Sequence, residues 1–346
     1  LAESDVGIVD WTLYIPKNFV TAEEIARETA VHGIDADVLI EKFGIVKKCI
    51  SDPNEHVSDM CVKAAKSLLD KTGLDPLDID ILVYNGSQFT DYYVWPVAPE
   101  IQHRIGAENA WCYDLHALCV GGPLALYQVK ALLLSDESWE NALIVSGTKE
   151  SYLIDYRDRD TSFMWDFADG ASAVWLKKGH GRNRILSGSF VTDGYYNHVY
   201  NNSGSRGLLS DVPKEKMRYI GVESSHREKM GRERKGYRDF RELSRANFVR
   251  VIKESVRKSG YSVEDINYVA LLHLIPSFRR QILGELGLNE DEHSSSLDEY
   301  GHLQSTDWVL SLDLGVRQGK IRDGNLVVAV GAGTGFSWGA TAIKWG

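Results

Sequence analysis

Ala64–Gly86 reads AAKSLLDKTGLDPLDIDILVYNG, and Val251–His273 reads VIKESVRKSGYSVEDINYVALLH. The two stretches align without a gap: Lys66 falls on Lys253, Gly73 on Gly260, and Asp78-Ile79 on Asp265-Ile266. Each predicts a helix, a glycine stop, a short acidic turn and a mostly apolar strand. Two more pairs follow in the same order. Asn141-Ala-Leu-Ile-Val-Ser-Gly matches Asn325-Leu-Val-Val-Ala-Val-Gly, and Gly170-Ala-Ser-Ala-Val-Trp-Leu matches Gly339-Ala-Thr-Ala-Ile-Lys-Trp. Three matches in one order predict a duplicated α/β chain, with a mixed, buried sheet covered by helices. The halves are 1–180 and 181–346, and the second carries a polar insert at about 191–240. A pseudo-twofold axis would bring the strand ends of both halves to one site, placing Cys119 of the first half near His273 of the second.

The length suits about two domains of roughly 150 residues each. There are 39 Lys plus Arg against 49 Asp plus Glu, a net charge of -10, which argues against nucleic acid as a bulk partner. With no run of eighteen apolar residues, no membrane span is expected. The N-terminus lacks a basic segment followed by an apolar core, so no secretory signal is expected. Cys49, Cys61, Cys112 and Cys119 are scattered without a C-x-x-C pair. That usage suits a cytoplasmic protein and predicts neither a zinc cluster nor a disulfide framework. Within the insert region, Lys214 to Arg245 holds 11 Lys or Arg against 6 Asp or Glu. It reads either as a solvated helix face with internal ion pairs or as a docking patch for coenzyme A phosphates or an acidic carrier protein.

Cys119 lies in Trp111-Cys-Tyr-Asp-Leu-His-Ala-Leu-Cys119-Val-Gly-Gly-Pro-Leu-Ala-Leu-Tyr127, where a buried strand gives way to a helix. A first helical turn offers unpaired N–H groups and a positive dipole end, and both favour a thiolate. The stretch alone fits a small apolar core cysteine equally well. The apolar run to Leu134 predicts a buried helix. Of the histidines, His32, His56, His103, His180, His226 and His293 read as exposed from their polar neighbours, and His116 as turned away from Cys119.

Five motifs in order resemble the thiolase superfamily, and within it the ketoacyl-carrier-protein synthase III group. They are Phe43-Gly-Ile-Val-Lys-Lys, Asp114 to Gly121, Phe167-Ala-Asp-Gly-Ala-Ser-Ala-Val, Leu272-His273, and Gly333-Thr-Gly-Phe-Ser-Trp-Gly. The resemblance implies a thiolase-like fold in αβαβα layers and a homodimer. It implies an acyl thioester on Cys119 and a second-substrate role for His273. The oxyanion hole would come from backbone N–H groups of Cys119 and the Gly331–Gly335 loop, with Thr334 and Gly335 in it. Glycines present N–H groups unobstructed, and donors aimed at a developing oxyanion account for ~3 kcal/mol or more. The acyl donor would be a coenzyme A or acyl-carrier-protein thioester, with no further cofactor and no metal. The family's arginine near the adenine corresponds to Lys42 and its stacking tryptophan to Val38, which shifts the expectation towards a carrier protein. Trp95 falls where the family pushes an aromatic residue into the partner subunit's acyl pocket. His198, in the insert, is a further candidate for the site.

The departures matter as much. Condensing members carry histidine-asparagine-alanine-asparagine where this chain has His273-Leu-Ile-Pro276, and glycine-asparagine where it has Gly301-His302. A neutral imidazole donates from one nitrogen only. Gly-His followed by Asp307 resembles a subgroup that transfers acyl groups to oxygen with a cysteine, a histidine and an aspartate. A carboxylate behind His273 would fix its tautomer and raise its basicity. Asp307 as a helix cap and His302 as a satisfied core histidine stay open. The expected function is acyl transfer through Cys119 to an acceptor hydroxyl or amine, in specialised metabolism. The alternatives are a decarboxylating condensing enzyme that starts a fatty-acid or polyketide chain, and a catalytically silent partner subunit. Hydroxymethylglutaryl-CoA synthase chemistry is disfavoured, because Gln88 stands where that enzyme needs a glutamate.

Overall fold

The computed structural model describes residues 5–86, 89–92, 95–194 and 240–346, the side chains of residues 160 and 161 aside. The first half supplies five strands of a large sheet: β1 (Val6–Tyr14), β4 (Ile81–Tyr84), β5 (Trp111–Asp114), β6 (Asn141–Thr148) and β7 (Gly170–Lys178). Two short strands between them in the chain, β2 (Asn18–Thr21) and β3 (Lys47–Ile50), form a separate ladder. The second half supplies β8 (Arg184–Thr192), β9 (Ile266–Leu271), β10 (Leu326–Gly333) and β11 (Ser337–Lys344). The nine strands of the large sheet run in the order β5-β4-β6-β7-β1-β8-β11-β10-β9. From the two sides, β4-β6-β7-β1 is matched by β9-β10-β11-β8. The sequence repeats pair the first three of each set, and the two sets join through β1 and β8, where Gly7 faces Arg184.

The larger helices are α1 (Ala22–Thr29), α2 (Val57–Thr72), α3 (Val97–Ile105), α4 (Gly121–Ser135), α5 (Phe240–Lys258), α6 (Pro276–Glu285) and α7 (Asp307–Arg317). The glycine stops expected from the repeat are real. α2 ends at Gly73 with φ 71°, and Gly260 follows α5 with φ 84°. That left-handed conformation is open to glycine without steric cost and closes a helix end.

Strand alternation assigns the layers. In the first half, Leu82, Tyr84, Leu143 and Val145 pack outward with α2 and α3. Ile81, Val83, Ala142 and Ile144 pack inward with Ala125, Leu126 and Val129 of α4. In the second half, Val269, Leu271, Val328 and Val330 face α5 and α6. Tyr268, Ala270, Val327 and Ala329 join the same inner cluster as α4, together with Trp308 and Val309 of α7. The order is therefore helices, sheet, α4 with α7, sheet, helices: the αβαβα arrangement of a thiolase-like fold. Leu118–Ser135 is long and apolar enough, by length and composition, to cross a membrane, a test that buried core helices also pass. Its residues Ala125, Leu126, Val129 and Leu133 belong to the shared core between the two halves of the sheet.

Candidate active site

α4 is sequestered between both halves, and its entry carries the nucleophile. β5 ends at Asp114, whose carboxylate accepts N–H bonds from Val97 and Ala98 at 2.8 Å each. The chain then turns through Leu115–Ala117 into a 3-10 turn, Leu118–Val120, that runs into α4. Leu118 has φ 52°, an uncommon conformation for a non-glycine residue and one concentrated at functional sites. Cys119 is 8% exposed. β10 presses against its backbone. A Cβ on Gly331 would lie 2.5 Å from the Cys119 carbonyl oxygen, and one on Gly333 would lie 3.2 Å from the Cys119 nitrogen. The glycine-rich C-terminal motif thus permits backbone contact at the nucleophile.

His302 arrives from the other half. Its N–H donates to the Asp166 carbonyl at 2.7 Å, and its carbonyl accepts from the Ala168 N–H at 3.0 Å. The Phe167 motif therefore serves as a short docking strand for His302. The chain after His302 folds back, so that Asp307, the first residue of α7, returns against the ring. His302 Nδ1 hydrogen-bonds Asp307 Oδ2, and the same imidazole is close enough to Cys119 for each to bias the other's charge. Asp307 is fully buried. Its Oδ1 accepts the Leu303 N–H and its Oδ2 the His273 N–H, both at 2.6 Å.

The charges follow from this geometry. Burial works against ionisation of Asp307, but the two imidazoles and the His273 N–H outweigh it, and its carboxyl is held below the usual range. Burial likewise opposes charge on His302, yet Asp307 and Cys119 hold it well above the ordinary imidazole range. Burial pushes the Cys119 thiol up, with His302 opposing. Lys48 lies behind this assembly, wholly buried, with Nζ donating to the Phe167 carbonyl at 2.6 Å. Burial lowers it to about 7, against the pull of Asp166 and Asp169.

The sequence analysis set Asp307 behind His273. The structure places it between two imidazoles, and its side-chain hydrogen bond is to His302. His273 Nδ1 lies 3.0 Å from the Gly301 carbonyl and 3.3 Å from Asp307 Oδ1, while its Nε2 faces Ser296 Oγ at 3.5 Å. It is the histidine at position 302, five residues before Asp307, that bridges carboxylate and thiol.

A cavity of about 430 Å³ opens beside Cys119. Leu124, Phe163, Phe190 and Trp338 give it an apolar body, and Glu150, Gln304 and Thr334 add polar groups. Thr334 is at the site as expected. Gly335, Trp95 and Lys42 are not among the residues that line the cavity. Trp95 packs edge-on to Tyr92, 5.3 Å between ring centroids, against the outer core of its own half. Lys42 is exposed at the end of a short helical turn. His198, most of the insert and Gln88 lie outside the described residues. His116, expected to turn away, lines the cavity. His293, expected at the surface, is 3% exposed. Glu150 and Gln304 were missed by sequence reasoning, although Gln304 sits between two residues it had singled out.

This fold has known counterparts. Residues 113–194 match the family model for 3-oxoacyl-[acyl-carrier-protein] synthase III, and residues 256–345 match the model for its C-terminal part. A beta-ketoacyl-[acyl-carrier-protein] synthase III of Clostridium acetobutylicum is 28% identical over 342 residues, 99% of each chain. The crystal structure of the Thermus thermophilus synthase III superposes with a TM-score of 0.79 at 25% identity, covering 98% of this chain and 99% of that one. The priming beta-ketosynthase of the R1128 polyketide pathway gives a TM-score of 0.83 at 23% identity, covering 99% and 97%. The chain belongs to the ketoacyl-carrier-protein synthase III-like proteins of the thiolase superfamily.

Proposed function

We propose that the chain is an acyl-transferring enzyme in which Cys119 takes an acyl group from a coenzyme A or acyl-carrier-protein thioester and passes it to a second substrate. The observation that carries this reading is the placement of the His302 imidazole between Cys119 and the buried carboxylate of Asp307. His302 accepts the thiol proton as Cys119 Sγ attacks the thioester carbonyl. The tetrahedral intermediate collapses, the carrier thiol leaves, and His302 returns the proton to it. The Cys119 N–H and the turn at Thr334 are the nearby candidates for oxyanion donors. A silent partner subunit would not need a buried carboxylate hydrogen-bonded to an imidazole beside a cysteine.

The relatives' names support a condensing second half-reaction, the alternative of the sequence analysis, better than transfer to a hydroxyl or amine. On that reading the acyl group meets a malonyl thioester, carbon dioxide leaves, and a carbon–carbon bond forms. One observation favours the second reading, transfer to oxygen or nitrogen. An imidazole backed by a buried carboxylate is equipped to remove a proton from an acceptor. The distinguishing experiment starts from purified protein acylated by a panel of acyl thioesters. Intact mass is expected to show one acyl group, lost in Cys119→Ala. Chasing with labelled malonyl carrier protein releases labelled carbon dioxide if the enzyme condenses. Transfer to hydroxyl or amine acceptors without carbon dioxide supports the second reading. Acylation at Cys49, Cys61 or Cys112 in place of Cys119 overturns both.

A further inference from the structure

Gln304 occupies an unusual position. It sits between His302 and Asp307, at the start of a 3-10 turn, Gln304–Thr306, that packs on the turn carrying Cys119. Its φ is 52°, left-handed backbone that a glutamine seldom adopts. The neighbouring backbone is pinned by the Leu303 N–H to Asp307 and the His302 N–H to Asp166, so the surroundings hold it there. The residue is 2% exposed, and its Oε1 has no hydrogen-bond partner among the described residues. It lines the cavity that Cys119 opens into. A buried amide oxygen without a partner is costly, and a ligand group that donates to it removes the cost.

The same cavity wall holds Glu150, 6% exposed, with Oε2 fixed by the Thr148 hydroxyl and the Lys149 N–H. Its charge works against a thiolate at Cys119. A carboxylate and an orphan amide oxygen are both acceptors. Together they call for a ligand that donates, and they repel an anionic one. The rest of the cavity, built on Leu124, Phe163, Phe190 and Trp338, suits an apolar chain. We propose that Gln304, with Glu150, forms a polar subsite close to Cys119 that selects acyl groups bearing a hydroxyl near the thioester. This rests on the reading that Cys119 receives an acyl group.

The test measures binding, so it does not require turnover. Cys119→Ala protein is titrated with butanoyl, 2-hydroxybutanoyl and 3-hydroxybutanoyl thioesters of N-acetylcysteamine, following the fluorescence of the tryptophans or the heat of binding. One hydroxylated ligand is expected to bind at least ~10-fold more tightly than butanoyl. Adding Gln304→Leu should bring the ratio to within ~3-fold. Gln304→Asn, which keeps the amide but shortens its reach, should lower the ratio too, and it stands in if the leucine variant does not fold. Equal binding of all three ligands, or a preference unchanged in both variants, overturns the subsite. A preference seen in a protein that never acylates Cys119 leaves the subsite standing and removes the proposed function instead.

Discussion

At His302 three influences compete. Burial disfavours the imidazolium, while Asp307 and the Cys119 sulfur both favour it, and the charged neighbours prevail. The imidazole is therefore a strong base for the thiol proton, and its loss should affect the first half-reaction as well as the second. In His302→Ala, acylation of Cys119 measured by rapid-quench mass spectrometry is expected to slow by ~10²–10⁴-fold, the usual contribution of a positioned base. Asp307→Asn should slow it comparably or less, since an amide cannot balance an imidazolium. Its two backbone contacts, to His273 and Leu303, would survive on the remaining carbonyl oxygen only in part. Unmodified acylation rates in a folded His302→Ala protein would show that His302 is not the base for the Cys119 thiol.

The elements around the site constrain it through backbone contact. β10 is paired on both sides, by β9 and β11, and cannot retreat from Cys119. Gly331→Ala would place a methyl 2.5 Å from the Cys119 carbonyl oxygen. It should lower stability by ~1–3 kcal/mol and abolish acylation, as read by urea unfolding and intact mass. His293 lies under α6, where Nδ1 accepts the Val269 N–H at 3.1 Å. Burial first, then Arg279 and Lys320, lowers it to about 4. The unfolded chain, with a histidine near 6.5, binds the proton first, so stability should fall as pH drops from about 6.5 towards 4. That loss reaches up to ~3 kcal/mol. It should be smaller in His293→Asn when urea midpoints are compared across this range. His293 also marks what the sequence conceals. Glu290, Asp291 and Glu292 before it suggested solvent, yet these acidic residues form a surface turn, Glu290–Glu292, and the ring behind them is inside. Elements were legible because the repeat reports period and glycine stops twice. The place of Cys119 at a helix entry was legible because its strand-to-helix setting is local, whereas its choice as nucleophile came from the resemblance. The pairing of Asp307 with His302 as well as His273 depends on a five-residue fold-back, and the cavity position of Gln304 on one left-handed residue. Neither leaves a periodic trace.

At the scale of the molecule, the two outer edges of the sheet differ. β9 is partly covered by the segment around His293, which bonds its backbone at Val269. β5, the opposite outer strand, carries Trp111, 53% exposed and stacked on Trp139 with centroids 6.2 Å apart. An outer strand with a large exposed aromatic residue invites pairing with another chain. The resemblance implies a homodimer, and a second copy meeting β5 edge to edge would cover both the strand and the indole. Sedimentation of the purified protein at micromolar concentration is expected to give twice the chain mass, 38.8 kDa. Trp111→Lys puts a charge on that edge, a common means of blocking strand addition, and should shift the equilibrium towards monomer. Trp111 is not among the residues that line the Cys119 cavity, so acylation of a folded monomeric variant would show that each chain carries a complete nucleophilic site. Loss of acylation together with the dimer would mean that the partner subunit completes the cavity, the role the resemblance implies for Trp95. A wild-type protein that sediments as a monomer and still acylates Cys119 would exclude both the β5 interface and any contribution of Trp95 to a partner's cavity.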